Sequence, residues 1–84
     1  MSAYHFWSTE CEPCKRMKPV FEELKDDFPD FNWISVNIRD DPKGFTKKFG
    51  VTTVPALVVV TAFGPQRYSG TDTTMYYRIM RSSQ

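Results

Sequence analysis

The hydrophobic positions recur along this chain with two different periods, which divide it into short strands and amphipathic helices. Ala3–Trp7 is short and rich in aromatic residues, as is typical of a strand. From Pro13 onward, apolar residues recur at helical spacing, which predicts a helix that Pro19 kinks and Pro29 ends. The apolar positions of that helix are Met17, Val20, Phe21, Leu24 and Phe28.

The middle of the chain repeats this succession of strand and helix. Asn32–Ile38 alternates with the period of two that a strand requires. Asp40–Pro42 is expected to open a short basic helix that reaches Phe49, with Gly50 suited to the position just after it. Ala56–Val60 is a continuous apolar run, which predicts a central strand buried on both faces.

A hairpin and a last helix complete the predicted order. Gly64-Pro65 is expected to turn the chain into a strand over Gln66–Tyr68, and Asp72 to cap the final helix. The apolar positions of that helix are Met75, Tyr76, Ile79 and Met80. The prediction is an α/β fold, β-α-β-α-β-β-α, with a four-stranded mixed sheet flanked by helices. Its first two strands should be parallel through a right-handed crossover, and its last two antiparallel.

Composition and charge narrow the possible functions. The 84 residues are expected to form one domain, 1–84, and an apolar fraction of 40% is enough for a core. A net charge of +1 indicates no nucleic-acid partner. The longest apolar run is too short to cross a membrane, and Met1–Phe6 lacks the features of a signal peptide. We therefore expect a cytoplasmic protein without a membrane partner. We also expect it to be a monomer.

The candidate chemistry lies in Cys11 and Cys14, the only two cysteines. In a reducing cytosol such a pair is more often catalytic, redox-sensing or metal-binding than structural. A zinc site needs about four ligands, and His5 is the only other strong candidate. An iron–sulfur cluster shared between subunits through Cys11 is a further alternative. A redox dithiol fits best, so we expect no metal and no cofactor.

A catalytic dithiol needs one exposed, activated sulfur and a second sulfur that resolves the mixed disulfide. At the start of a helix, Cys11 would face unpaired N–H groups and the positive end of the helix dipole, with Cys14 about one turn later. Pro13 suits the first helical turn, and Lys15 adds positive charge. Glu12 opposes that charge and should raise the pKa of the neighbouring thiol.

Four segments together resemble the thioredoxin superfamily. Phe6–Lys15 is similar to its strand end followed by Cys-x-Pro-Cys-Lys, and Pro19 occupies its helix-kink position. Gly50–Pro55 matches the segment that ends in its cis-proline, and Tyr68–Gly70 matches its glycine turn. The resemblance implies a thioredoxin-like fold and a thiol–disulfide oxidoreductase. The expected cytosolic setting and the proline of the motif favour reduction of protein disulfides, with electrons passing from the dithiol to the substrate.

The resemblance also implies roles for individual residues. Cys11 would attack the substrate and Cys14 would resolve the mixed disulfide. Pro55 would be cis, leaving the backbone of Val54 to pair with an extended substrate. Thr53 and Gly70 lie in segments that glutaredoxins use to hold glutathione. The electron donor is therefore left open between thioredoxin reductase and glutathione.

Several positions depart from the family pattern. The chain begins at the active-site strand, so the fold would be a minimal one without the usual N-terminal strand and helix. His5 stands in place of a buried aspartate, and Ser35 in place of its paired lysine. We expect His5 either to relay protons for Cys14 or to be a core histidine hydrogen-bonded to backbone. Trp7 is expected to shape the substrate groove, to pack in the core, or both.

Two alternatives to a thioredoxin-like reductase remain. One is a glutathione-dependent reductase of the glutaredoxin type. The other is a non-catalytic binding module that holds an extended partner along Val54-Pro55 and uses the dithiol as a redox switch.

Overall fold

The computed structural model of the protein describes residues 1–84. It confirms the predicted order β-α-β-α-β-β-α. The elements are β1 Ser2–Trp7, α1 Glu12–Asp27, β2 Asn32–Asn37, α2 Phe45–Lys48, β3 Ala56–Thr61, β4 Gly64–Ser69 and α3 Thr73–Ser82. None of the helices has both the length and the apolar composition needed to cross a bilayer.

The strands form one four-stranded sheet in the order β2-β1-β3-β4. As predicted, β1 and β2 are parallel and β3 and β4 are antiparallel; β1 also pairs with β3 in antiparallel fashion. Because β1 has a neighbour on each side, it is a central strand. His5, in the middle of β1, lies opposite Ser35 of β2 and Leu57 of β3.

Helices cover the sheet on both faces, and the core is divided accordingly. On one face α1 and α3 pack against the sheet through a buried cluster of Ala3, Met17, Phe21, Leu24, Phe28, Phe31, Leu57, Val59, Tyr76, Ile79 and Met80. On the other face a smaller cluster, Phe6, Val36, Ala56 and Val58, is covered by partly buried side chains that include Phe45 and Phe49 of α2. Alternation along β1 therefore sends Phe6 to the α2 face and His5 to the α1 face, where its ring stacks on Phe21.

The second helix begins later than predicted, at Phe45 instead of within Asp40–Pro42. Gly44 has a φ of +69°, which is a left-handed conformation. The residues before Gly44 therefore cannot belong to the same right-handed helix as α2. The carboxylate of Asp41 accepts hydrogen bonds from the N–H groups of Phe45 and Thr46, so it satisfies the start of α2 from outside the helix.

The hairpin between β3 and β4 also differs from the prediction. Its turn is formed by Ala62 and Phe63, whereas Gly64 and Pro65 belong to β4. The Thr61 hydroxyl explains why the turn lies at Ala62 and Phe63. Its oxygen accepts a hydrogen bond from the N–H of Phe63 at 3.1 Å and lies 3.3 Å from the carbonyl oxygen of Gly64. Pro65 is tolerated because β4 is an edge strand.

Two phenylalanines offer a matched test of the core. Phe21 is 1% exposed and lies between the rings of His5 and Tyr76, whereas Phe63 is 98% exposed. We expect Phe21→Ala to lower the free energy of unfolding by about 3–5 kcal/mol through lost burial and a cavity. Phe63→Ala should change it by less than about 0.5 kcal/mol. Urea titrations measure both, and equal losses would contradict this assignment of the core.

Candidate active site

The two cysteines lie where the chain leaves the central strand and enters α1. β1 ends at Trp7, and a short turn leads to Cys11, which is the N-cap of α1 with extended backbone angles. The sulfur of Cys11 accepts a hydrogen bond from the N–H of Cys14 at 3.1 Å. A sulfur therefore occupies the position that an oxygen fills in most helix caps, facing the positive end of the helix dipole.

Cys11 and Cys14 are joined by a disulfide, with their Cα atoms 5.2 Å apart. Cys11 is partly exposed, whereas Cys14 is only 6% exposed. Pro13 lies between them in the first turn of α1, where its missing N–H leaves no carbonyl unpaired. A reagent approaching from solvent therefore meets Cys11 first, and Cys14 is shielded behind it.

The loop before β3 is brought against the disulfide. The carbonyl oxygen of Val54 lies 3.7 Å from the sulfur of Cys11, and the Val54-Pro55 peptide bond is cis. Thr53, the preceding residue, is exposed and its side chain makes no hydrogen bond. The loop thus presents backbone groups of Val54 beside the exposed sulfur.

Tyr76 holds this loop, a role that the sequence did not reveal because the residue appeared only as an apolar position of a helix. Its buried hydroxyl lies 2.6 Å from the carbonyl oxygen of Gly70 and 3.1 Å from that of Pro55. The N–H of Gly70 donates to the same Pro55 carbonyl at 3.1 Å. Burial raises the pKa of Tyr76 above its usual range, so the hydroxyl keeps its proton as a donor.

Gly70 is predicted from the sequence as part of the site, and the structure explains why a glycine stands there. Its φ is +145°, and a Cβ at this position would come within 2.6 Å of the Tyr68 hydroxyl. Gly70 hydrogen-bonds to Pro55, so it supports the loop that carries Val54.

Both acidic residues that flank Cys11 are paired with bases. Glu12 lies 3.2 Å from the ammonium of Lys15, and Glu10 lies 3.0 Å from the guanidinium of Arg39. All four side chains are exposed, so each pair is worth well under about 1 kcal/mol. The pairing nevertheless places a positive charge next to each carboxylate. The charge of Lys15 therefore offsets part of the negative potential that Glu12 exerts on Cys11.

A cavity of about 360 Å³ is lined by Cys14 but not by Cys11. Four of the predicted residues line it: His5, Trp7, Cys14 and Lys15. The rim also carries Lys18, Glu22 and Lys25 of α1 and Ser35 of β2. The indole N–H of Trp7 donates to the hydroxyl oxygen of Ser35 at 2.8 Å, which fixes the partly buried ring at this rim.

His5 contributes to the lining of this cavity and is 7% exposed, with both ring nitrogens buried. Its ring stacks on Phe21 with centroids 3.7 Å apart, and neither ring nitrogen has a hydrogen-bond partner in the protein. The predicted alternative of a histidine hydrogen-bonded to backbone is therefore wrong. Burial, assisted by the charge of Lys25, lowers the pKa of His5 to about 3, so the imidazole is neutral at neutral pH.

Comparison with known proteins agrees with this geometry. The thioredoxin family model matches residues 3–79. The chain belongs to the thioredoxin family. Thioredoxin of Mycoplasma genitalium is 35% identical over 54 residues, a match that covers 64% of this chain and 52% of that protein. Thioredoxin of Staphylococcus saprophyticus is 38% identical over 55 residues, with the same coverage of 64% and 52%.

Solved thioredoxin structures share the fold. Fasciola hepatica thioredoxin superposes with a TM-score of 0.87 at 22% identity, covering 98% of this chain and 79% of that one. Reduced Schistosoma mansoni thioredoxin gives a TM-score of 0.87 at 18% identity, with coverage of 99% and 78%. The matched segment spans about half the length of these curated thioredoxins. The structural matches cover 98% and 99% of this chain and the sequence matches cover 64%, so the shared fold extends beyond the detectable sequence similarity.

The buried, neutral state of His5 predicts a dependence of stability on pH. Its folded pKa of about 3 lies below the ordinary value of 6.5, so its contribution is complete above pH 6.5 and is lost as the pH falls towards 3. Between pH 7 and pH 5 the wild type should lose about 2 kcal/mol through this group. His5→Phe removes the only histidine, so its urea unfolding should lack that loss. Parallel pH dependences would contradict the assignment.

Proposed function

We propose that this protein is a thiol–disulfide oxidoreductase that reduces disulfides in protein substrates. The observation that carries the proposal is the asymmetry of the pair: Cys11 is partly exposed at a helix N-terminus beside Val54-Pro55, and Cys14 is buried one turn behind it. Attack requires the first environment and resolution requires the second.

The proposed reaction has two exchange steps. In the first, the Cys11 thiolate attacks a substrate disulfide, forms a mixed disulfide and releases one substrate thiol. In the second, the Cys14 sulfur loses its proton and attacks the Cys11 sulfur, which releases the second substrate thiol and leaves the Cys11–Cys14 disulfide. Two electrons pass from the dithiol to the substrate. The disulfide in the structure corresponds to the product state.

The substrate is proposed to bind as an extended segment along Thr53–Pro55. The Val54 carbonyl lies 3.7 Å from the attacking sulfur, so a segment that pairs with it would bring its own disulfide to Cys11. The Tyr76 hydroxyl and the Gly70 N–H hold the loop from below, which keeps that carbonyl in place. Thr53 is exposed beside it and is free to contact the substrate.

His5 is proposed as a proton relay for Cys14. A neutral imidazole has one donor and one acceptor nitrogen, and in this structure neither is engaged elsewhere. Because its pKa is low, His5 would pass a proton from one nitrogen to the other without remaining charged. A resolution rate that His5→Ala leaves unchanged from pH 6 to 9 would exclude this role.

Recharging needs a two-electron donor, for which we propose a flavin-dependent thioredoxin reductase or glutathione. The cytosol is the proposed place of action, because its reducing poise keeps such a dithiol loaded. Supplying each donor in turn with insulin as substrate distinguishes the two.

Serine variants test the assigned order of attack. Cys14→Ser should still attack a substrate disulfide but fail to resolve it, so a mixed disulfide at Cys11 accumulates and is detected by mass spectrometry. Cys11→Ser should form no such adduct, and both variants should lose insulin reduction with dithiothreitol. An adduct that forms at Cys14 in the Cys11→Ser variant at the wild-type rate would overturn the order. Full activity in either variant would overturn the dithiol mechanism.

A further inference from the structure

We propose that the hydroxyl of Tyr76 is a positioning group that makes the dithiol select disulfides in extended polypeptide segments over small disulfides. This selectivity deepens the function proposed above and rests on it. The hydroxyl lies beside the carbonyl oxygens of Gly70 and Pro55, so it acts on the reaction through the loop that carries Val54.

The loop itself has few attachments. Residues 52–54 lie outside the helices and strands, and their backbone groups take part in no backbone–backbone hydrogen bond. The segment is tied down only on either side of this stretch. On one side the N–H of Val51 donates to the carbonyl of Thr46 at 2.9 Å, and on the other the carbonyl oxygen of Pro55 lies 3.1 Å from the Tyr76 hydroxyl. The backbone groups between them are therefore free for a substrate, and their position depends on these two attachments.

The Tyr76 hydroxyl joins the second attachment to the turn before α3. It lies 2.6 Å from the carbonyl oxygen of Gly70, which accepts no backbone hydrogen bond, and the N–H of Gly70 in turn donates to the Pro55 carbonyl at 3.1 Å. A hydroxyl carries one proton, and the shorter distance assigns it to Gly70. Without the hydroxyl the Gly70 carbonyl has no donor in the protein, which is costly where water is restricted. The turn then shifts and draws its N–H away from Pro55.

The ring of Tyr76 is fixed independently of its hydroxyl. The residue is 0% exposed, and the ring packs edge-to-face against Phe21 and Tyr68, with centroids 4.8 Å and 4.9 Å away. Phenylalanine at this position would keep these ring contacts and remove only the oxygen. The hydroxyl can therefore be tested apart from the packing of the core.

The two kinds of disulfide make different demands on the site. A polypeptide that pairs with the backbone of Val54 needs that carbonyl in its place, and a displacement of about 1 Å is enough to slow a positioned reaction severely. A small disulfide has no backbone to pair and needs only the exposed sulfur of Cys11. That sulfur is held by the N–H of Cys14 at the start of α1, a contact that does not involve Tyr76. Loss of the hydroxyl should therefore slow only the first kind of reaction.

Tyr76→Phe and Tyr77→Phe form a matched pair, because each removes one hydroxyl from α3. The hydroxyl of Tyr77 donates to the carboxylate of Asp27 at 2.9 Å, so it links α3 to α1 and not to the loop. Insulin turnover with dithiothreitol measures the polypeptide reaction. Dithiobis(nitrobenzoate) measures the small-disulfide reaction, since the reduced protein gives it two electrons, releases two aromatic thiolates and closes the Cys11–Cys14 disulfide.

We expect Tyr76→Phe to raise the KM for insulin about tenfold with kcat within about twofold. Its rate with dithiobis(nitrobenzoate) should stay within about twofold of the wild type. Tyr77→Phe should stay within about twofold on both substrates. Gly70→Ala is a second variant, because its Cβ would come within 2.6 Å of the Tyr68 hydroxyl and displace the turn while Tyr76 is intact. It should show the same selective loss, and urea unfolding identifies which variants are folded in the assay.

Several results would overturn this role of Tyr76. An unchanged KM for insulin in Tyr76→Phe would reject it, as would an equal loss on both disulfides or an equal loss in Tyr77→Phe. If Tyr76→Phe does not fold, Gly70→Ala with full insulin activity would reject it. A wild type that reduces dithiobis(nitrobenzoate) but not insulin would reject the proposed function together with this role. An active wild type with unaffected variants would reject this role alone.

Discussion

The hydrogen bond from the N–H of Cys14 to the sulfur of Cys11 both caps helix α1 and sets the environment of the exposed sulfur. It forms because the central strand β1 delivers the chain directly into α1, and Cys11 occupies the N-cap. As a cap, the sulfur satisfies a backbone donor and helps to begin the helix. As a thiolate, the same sulfur would be stabilised by that donor and by the helix dipole. One contact therefore serves folding and reactivity together.

The loop at Val54-Pro55 lies beside the sulfur of Cys11 and is the surface proposed to bind the substrate. That loop is held by Tyr76 and Gly70, which lie in and just before the last helix. The candidate site is thus assembled from both ends of the chain: the sulfurs lie at the start of α1, directly after β1 and its turn, and α3 positions the loop beside them. The proposed exchange reaction therefore requires residues that are far apart in the sequence to fold together.

The period of the apolar residues, together with the turn residues between them, was enough to predict the element order, because burial imposes that period locally. The strand directions followed from the rules for connections between strands. Where local hydrogen bonds decide, the pattern failed: Asp41 caps α2 from outside it, and Thr61 moves the hairpin turn to Ala62 and Phe63. The cysteine spacing permitted a metal site as well as a dithiol, and the shortage of other metal ligands in the sequence favoured the dithiol. The hydrogen bonds from Tyr76 to Pro55 and Gly70 could not be predicted, because a tyrosine that buries a hydrogen-bonding hydroxyl occupies the same helix positions as a purely apolar residue.

His5 shows the same limit at the site itself. The sequence placed it behind Cys14, but its lack of partners and its cavity depend on how β1, β2 and α1 pack. Exposure is likewise a tertiary property, and it is what separates the roles proposed for the two cysteines. The most direct test of that separation is alkylation of the reduced protein with limiting iodoacetamide at pH 7, with the singly modified species mapped by mass spectrometry. The account predicts modification at Cys11 with Cys14 largely unmodified. Equal modification, or a preference for Cys14, would contradict it.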